Sequence, residues 1–210
     1  IEHIFNYKYA LYVDLDIICL KNINHIFNAF DDYLLHNPHQ KHKLQACPEK
    51  ESAKDHHEIF WSMNNYTHDD IMFFEKNKIL PFNAGCFLFP INSVFKDYFH
   101  HIREMIIQTI SEGKIFFYEQ AYMNVFFNKR NLVAYDLINK SNYTMFPDLD
   151  VNYANKIVHF CGSPGQGSIK YNMMKTYVEK HDVFHEYICP HKISSFFKTQ
   201  EDEKKENREK

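Results

Sequence analysis

Glycine occurs only five times in 210 residues, and three of the five fall between positions 162 and 167. Left-handed turns and close approach of other groups to the backbone are therefore concentrated at a few places. No apolar run approaches the roughly 20 residues of a membrane-spanning helix. The five cysteines, Cys19, Cys47, Cys86, Cys161 and Cys189, are odd in number and contain no C-x-x-C pair. That spacing argues against a zinc site and a disulfide framework, and it reads most of them as small core fillers. Positive charge is not in excess, because the formal net charge is −3. No field suited to a nucleic acid exists, and the lysines at 41–43 and 204–210 read as solvated surface. Asn65-Tyr66-Thr67 and Asn142-Tyr143-Thr144 fit the glycosylation sequon. In an Asn-rich chain such matches arise by chance, so they leave the compartment open. A cytoplasmic setting is slightly favoured, with a secretory lumen the alternative if an anchor precedes Ile1.

What is present is an ordinary globular composition, 45% hydrophobic and 24% charged, with an unusually high 17% of aromatics. Such a length buries one sizeable core, so one compact unit is expected over 1–198, followed by a disordered charged tail at 199–210. The chemistry centres on Tyr7 to Leu20. Asp14 and Asp16 interrupt an apolar, β-branched and aromatic run with the composition of a strand buried on both faces. Residues two apart on an extended chain point the same way, so both carboxylates can converge where the strand ends, before a second extended piece from Ile17 to Leu20. Buried charges need a partner, and a hard divalent cation such as Mn2+ or Mg2+ is the simplest one.

Further along, Asn24 reads as the cap of a short helix from Ile26 to Phe30, ending in an Asp31-Asp32 turn. The polar stretch from His36 to Glu58 reads as a loop with one strand-like insert, Leu44 to Cys47. Ile59 to Met63 and Ile71 to Phe74 are short apolar pieces around a turn at Asn64 to Asp70. Asn83-Ala84-Gly85 opens a buried strand at Phe87 to Phe89, with Gly85 allowing a ligand close to the backbone. Asn92 or Ser93 caps an amphipathic helix running from Val94 to Ile110. A second helix, Tyr118 to Asn128, places Glu119 and Gln120 in its first turn, where the helix dipole favours an anion. Leu132 to Leu137 is a strand and Ser141 to Asp150 a loop. Lys156 to Phe160 is a short strand whose His159 stands before the Gly-rich loop of Gly162 to Gly167, a loop fit to lay N–H groups against phosphate. A helix from Tyr171 to Phe184 closes the fold.

Taken together, four segments in one order resemble glycosyltransferase family eight, the group containing glycogenin and the bacterial lipopolysaccharide glucosyl- and galactosyltransferases. Leu11-Tyr-Val-Asp14-Leu-Asp16 is similar to its Asp-x-Asp strand and Asn83-Ala84-Gly85 to its Asn-Ala-Gly segment. Glu119-Gln120-Ala-Tyr-Met-Asn124 is similar to its Asp-Gln-x-x-x-Asn helix, and His159-Phe-Cys-Gly162 to its His-Phe-x-Gly element. The resemblance implies an α/β, GT-A-like mixed sheet flanked by helices, and a hexose transferred from a UDP-sugar with retention to a glycan, protein or lipid acceptor. It implies Asp14, Asp16 and His159 as ligands of Mn2+ or Mg2+. Asn83, Ala84, Gly85 and Gln120 are then the sugar-binding residues, and Gly162 begins the loop over the diphosphate. Glu119 and Gln120 are the catalytic candidates, with Glu119 where the family has Asp. The family's Lys-Pro-Trp is missing, and Lys170 is the candidate replacement cation. The family also has a nucleotide-binding half before its Asp-x-Asp strand, so the chain is expected to be a C-terminal portion, incomplete at the N-terminus. A homodimer is compatible with this reading, and no membrane span is expected.

Two other readings share parts of the pattern. A haloacid-dehalogenase-type phosphatase also ends an apolar strand in Asp-x-Asp, with Asp14 as nucleophile. Its later acidic motif should follow an apolar strand, whereas Asp69-Asp70 follows Asn-Tyr-Thr-His. A degenerate transferase module that binds a glycan or protein partner without catalysis is the third.

Overall fold

The computed structural model describes residues 7–20, 23–49, 66–113, 119–139, 143–153, 156–161, 167–181 and 183. Among them are seven strands: β1 Tyr9–Val13, β2 Ile17–Cys19, β3 Leu44–Pro48, β4 Phe82–Pro90, β5 Val133–Ala134, β6 Tyr143–Met145 and β7 Ile157–His159. Five helices accompany them: α1 Asn24–His36, α2 His68–Asn77, α3 Ser93–Ser111, α4 Glu119–Lys129 and α5 Gly167–His181. The class is α/β, with two mixed sheets. No helix among the described residues is long and apolar enough to cross a membrane. The tail at 199–210, the sequons' Asn65 and Asn142, and the apolar piece at 59–63 lie outside the described residues.

The first sheet has the order β1-β4-β3-β5, and β4 is its axis. From Cys86 to Leu88 alternate β4 side chains face opposite cores, as a period of two requires. Cys86 and Leu88 pack with Ile26 and Phe30 of α1. Phe87 packs with Phe95 and Ile102 of α3 and with Phe126 and Phe127 of α4. A helical layer therefore covers each face. The second sheet, β2-β7-β6, shares the α1 core through Ile157 and packs Val158 against Tyr177 and Val178 of α5.

Several elements differ from the sequence reading, each for a local reason. The second extended piece expected at Ile17 to Leu20 is β2, but it belongs to a different sheet from the acidic strand, β1. β1 is an edge strand, so Tyr12 and Val13 stay 41% and 39% exposed instead of being buried on both faces. α1 runs through Asp31 and Asp32 because Asp31 is bound by Lys8 and Tyr9, and because Tyr33 and Leu34 continue the apolar face. Its N-cap is Ile23, and no side chain caps it. Among the described residues of the expected turn and apolar fragment, those from His68 onward form α2, started by Thr67 in a reciprocal capping box with Asp70. β5 keeps only two residues of the expected Leu132 to Leu137 strand. β6 forms inside the expected 141–150 loop because β7 offers it a parallel partner. Asn92 caps α3 as one of the two alternatives anticipated, accepting from the Phe95 N–H at 3.0 Å. α5 lies a few residues N-terminal of its expected span, starting at Gly167 and ending at His181. Of the cysteines, Cys47 and Cys86 are core fillers as expected, while Cys19 is exposed.

Candidate metal centre

The chain changes sheets between β1 and β2, and the two acids stand at that joint. The Asp14 N–H donates to the Gly85 carbonyl at 2.8 Å, continuing the first sheet's ladder by one residue. Leu15 and Asp16 then turn, with Leu15 fully exposed. The Asp16 carbonyl accepts from the Phe160 N–H at 2.9 Å, and Ile17 pairs with His159 in the second sheet. Convergence therefore comes from a turn tied at both ends, not from an unbroken extended strand.

His159 closes β7 on the same side as Ile157, which carries its ring inward; it is 4% exposed. Its Nε2 lies 3.1 Å from Asp16 Oδ1 and 3.9 Å from Asp14 Oδ2. One ligand atom from each of Asp14, Asp16 and His159 lies within 4.8 Å of the other two. Two carboxylate oxygens and an imidazole nitrogen are a donor set suited to Mn2+ or a similar divalent ion. The cluster is open on the Asp14 side, whose side chain is 37% exposed against 17% for Asp16. The Tyr12 hydroxyl donates to Asp14 Oδ1 at 2.8 Å. Lys170, on the first turn of α5, donates to Asp16 Oδ2 at 2.6 Å. Burial pushes the Asp16 carboxyl up, but its interactions with the His159 ring and the Lys170 ammonium more than reverse this and hold it at about 2.

The floor of the centre is an irregularity in β4. Ala46 pairs with Phe87, but the next residue, Cys47, pairs with Asn83, so Ala84 to Cys86 arch away from β3. Backbone N–H groups in and around this arch are taken by side chains, as buried donors must be. The Gly85 N–H donates to Asn83 Oδ1 at 3.0 Å and the Ala84 N–H to Gln120 Oε1 at 2.9 Å. Asn124, fully buried, accepts from the Phe82 N–H at 2.7 Å and donates to the Phe82 carbonyl at 2.9 Å. α4 is thus clamped along the strand. Gly85 gives close approach as its type suggested, but to the protein's own groups. A Cβ there would strike His159 Cε1 and stand 2.9 Å from both Asn83 Oδ1 and Asp14 Oδ2.

Asn83 and Gln120 also share Glu49, which accepts from Asn83 Nδ2 at 2.9 Å and Gln120 Nε2 at 3.2 Å. Tyr143, buried on β6, donates its hydroxyl to Asn83 Oδ1 at 2.8 Å and lies 2.5 Å from His159 Nδ1. Sequence reading missed both Glu49 and Tyr143. Neither has a spacing that marks it; Tyr143 lies within a sequon match read as loop. Glu119 points elsewhere, lining a largely apolar cavity of about 440 Å³ with Tyr12, Phe87, Phe89, Phe99 and Met123. Gly162 lies outside the described residues. Asp69 and Asp70, the acids a phosphatase reading needs, begin α2, where Asp70 is held by Thr67 and Lys129.

Fold and site define an α/β domain with a carboxylate and imidazole cluster where its two sheets meet. No family model, curated protein or solved structure matches the chain.

Proposed function

We propose that the chain is a metal-dependent retaining glycosyltransferase, moving a hexose from a UDP-sugar to an acceptor hydroxyl. The observation that carries this reading is the convergence of Asp14, Asp16 and His159 from two sheets onto one point. The order of the four motif segments supports a UDP-sugar as the donor. Asp14, Asp16 and His159 would hold Mn2+ or Mg2+, which as a Lewis acid would neutralise the diphosphate leaving group. Gly85 leaves the space in which His159 and Asp14 approach each other. Lys170, already at Asp16, brings a second positive charge to the same place. Asn83, Ala84 and Gln120 form a rigid floor on which a sugar can rest, since their polar groups are cross-linked through Glu49. Glu119, beside the cavity, is the carboxylate available to an incoming acceptor.

The test is thermal unfolding with Mn2+, UDP and both, followed by UDP release from a panel of UDP-sugars. Mn2+ and UDP together should raise the melting temperature, by the equivalent of about 2.7 kcal/mol at one hundred times the dissociation constant. Asp16→Asn should abolish the response. Phosphate released from sugar phosphates, with UDP-sugars untouched, would overturn the proposal in favour of the phosphatase. No response to any ligand would leave a binding module.

A further inference from the structure

We propose that Tyr143 is a positioning residue of the cation site: its hydroxyl dictates that His159 carries its proton on Nδ1, so that Nε2 faces Asp14 and Asp16. The inference rests on the cation site proposed above and adds to it a residue outside all four motif segments.

The assignment follows from counting protons, starting at a group that cannot titrate. The Gly85 N–H points at Asn83 Oδ1 at 3.0 Å, so that atom is the amide's oxygen and an acceptor. The other end agrees, because Nδ2 donates to Glu49 Oε1 at 2.9 Å. A reversed amide would set N–H against N–H at one end and oxygen against carboxylate at the other. The Tyr143 hydroxyl, 2.8 Å from Asn83 Oδ1, must therefore donate to it. An ordinary phenol keeps its proton up to about pH 10, so the hydroxyl has a proton to donate here. A phenol has one proton to give. Its oxygen can then only accept from His159 Nδ1, 2.5 Å away, and the ring proton is on that nitrogen.

The opposite tautomer would satisfy Nε2 better when no cation is present, since an N–H there could donate to Asp16 Oδ1 at 3.1 Å. It would turn the tyrosine proton toward Nδ1, leaving two oxygens facing each other at 2.8 Å. Tyr143 is 2% and Asn83 7% exposed, so water has little access to relieve that contact. The hydrogen-bonded run from Glu49 through Asn83 and Tyr143 thus holds the imidazole ready for a positive ion. Partners of this kind behind a metal-binding histidine are worth about 10- to 100-fold in affinity.

The experiment compares wild type with Tyr143→Phe, which keeps the ring and removes the oxygen. Long-range proton–nitrogen correlation on histidine-labelled protein reads the protonation of each His159 nitrogen at about pH 9, above the ordinary histidine range. Water-proton relaxation reads Mn2+ affinity. Wild type should show a protonated Nδ1 with and without cation. Tyr143→Phe should populate the Nε2–H form in chelator and bind Mn2+ at least tenfold more weakly. A wild-type ring with a bare Nδ1 overturns the proposal, and that reading does not depend on the variant folding. So does a Tyr143→Phe protein that binds Mn2+ as tightly as wild type. A wild type that ignores Mn2+ removes the cation site itself, a failure distinct from the ring's spectrum, which alone decides the tautomer.

Discussion

Gly85 carries the sharpest constraint at the level of single residues. The obstacle to a side chain here is space and not backbone conformation: a methyl group would meet the His159 ring and two oxygens of the centre. Two of the three cannot retreat freely, since His159 and Asn83 are buried and bonded to Tyr143. Gly85→Ala should therefore destabilise the fold by about 1–3 kcal/mol, the usual result of overpacking. It should also remove the thermal response to Mn2+. Urea unfolding and a Mn2+ titration check the two parts. Loss of stability with an intact metal response would show that the centre yields and the strand does not. The same neighbourhood shows how much of the site the sequence could disclose. Asp14, Asp16 and His159 stood out because charge or imidazole in an apolar run is conspicuous. Glu49 and Tyr143 did not, because their roles exist only in bonds made across strands.

Among the elements, α4 and α2 show two ways of anchoring a helix. Asn124 behaves toward Phe82 like a neighbouring strand, taking its N–H and supplying its carbonyl with a donor. Asn124→Ala would leave both groups buried and unpaired, for a loss of about 2–4 kcal/mol in urea unfolding. α2 depends on its first turn. Thr67 accepts from the Asp70 N–H at 3.1 Å, and Asp70 Oδ2 takes the Thr67 N–H at 2.8 Å. Thr67→Ala should lower stability by about 1 kcal/mol, also read by urea. Burial pushes the Asp70 carboxyl up, but bonds from Lys129 and Thr67 outweigh it and hold the group below 3.8. A lowered folded value means that the unfolded chain binds the proton more readily. The stabilisation is then full above about pH 4 and is lost as the pH falls through the lowered value. Asp70→Asn should flatten that part of the acid unfolding curve. The α2 region was misread because its cap sits in a polar run with only four apolar residues after it. α3 was readable because its apolar face repeats over five turns, roughly, at helical spacing. β6, three residues long, exists only through its partner and leaves no periodic trace, whereas β5 keeps two residues of a strand that the sequence did mark.

On the scale of the whole molecule, one point ties the layers together. Asp14 and Asp16 come from the joint between sheets, Gly85 from the first sheet, His159 from the second, and Lys170 from α5. With no cation bound, the Lys170 ammonium is a counter-ion for Asp16 at 2.6 Å, on side chains 26% and 17% exposed. A half-buried pair of this kind lies between an exposed bridge and a fully buried one, so its loss is worth about 1–2 kcal/mol. Lys170→Met should therefore unfold at lower urea than wild type in chelator. A divalent ion competes with that ammonium for the same carboxylate, and removing the competitor frees Asp16 for the ion. The variant should then gain more stability from Mn2+ alone than wild type does, so that the two unfolding curves draw together or cross as Mn2+ rises. Without UDP-sugar the substitution should help metal binding; with it, the loss of a positive charge beside the diphosphate should slow UDP release. Those opposite signs separate Lys170 as a group shared between metal and leaving group from Lys170 as a mere tether for α5. A tether would weaken the protein equally at every Mn2+ concentration, keeping the two curves parallel.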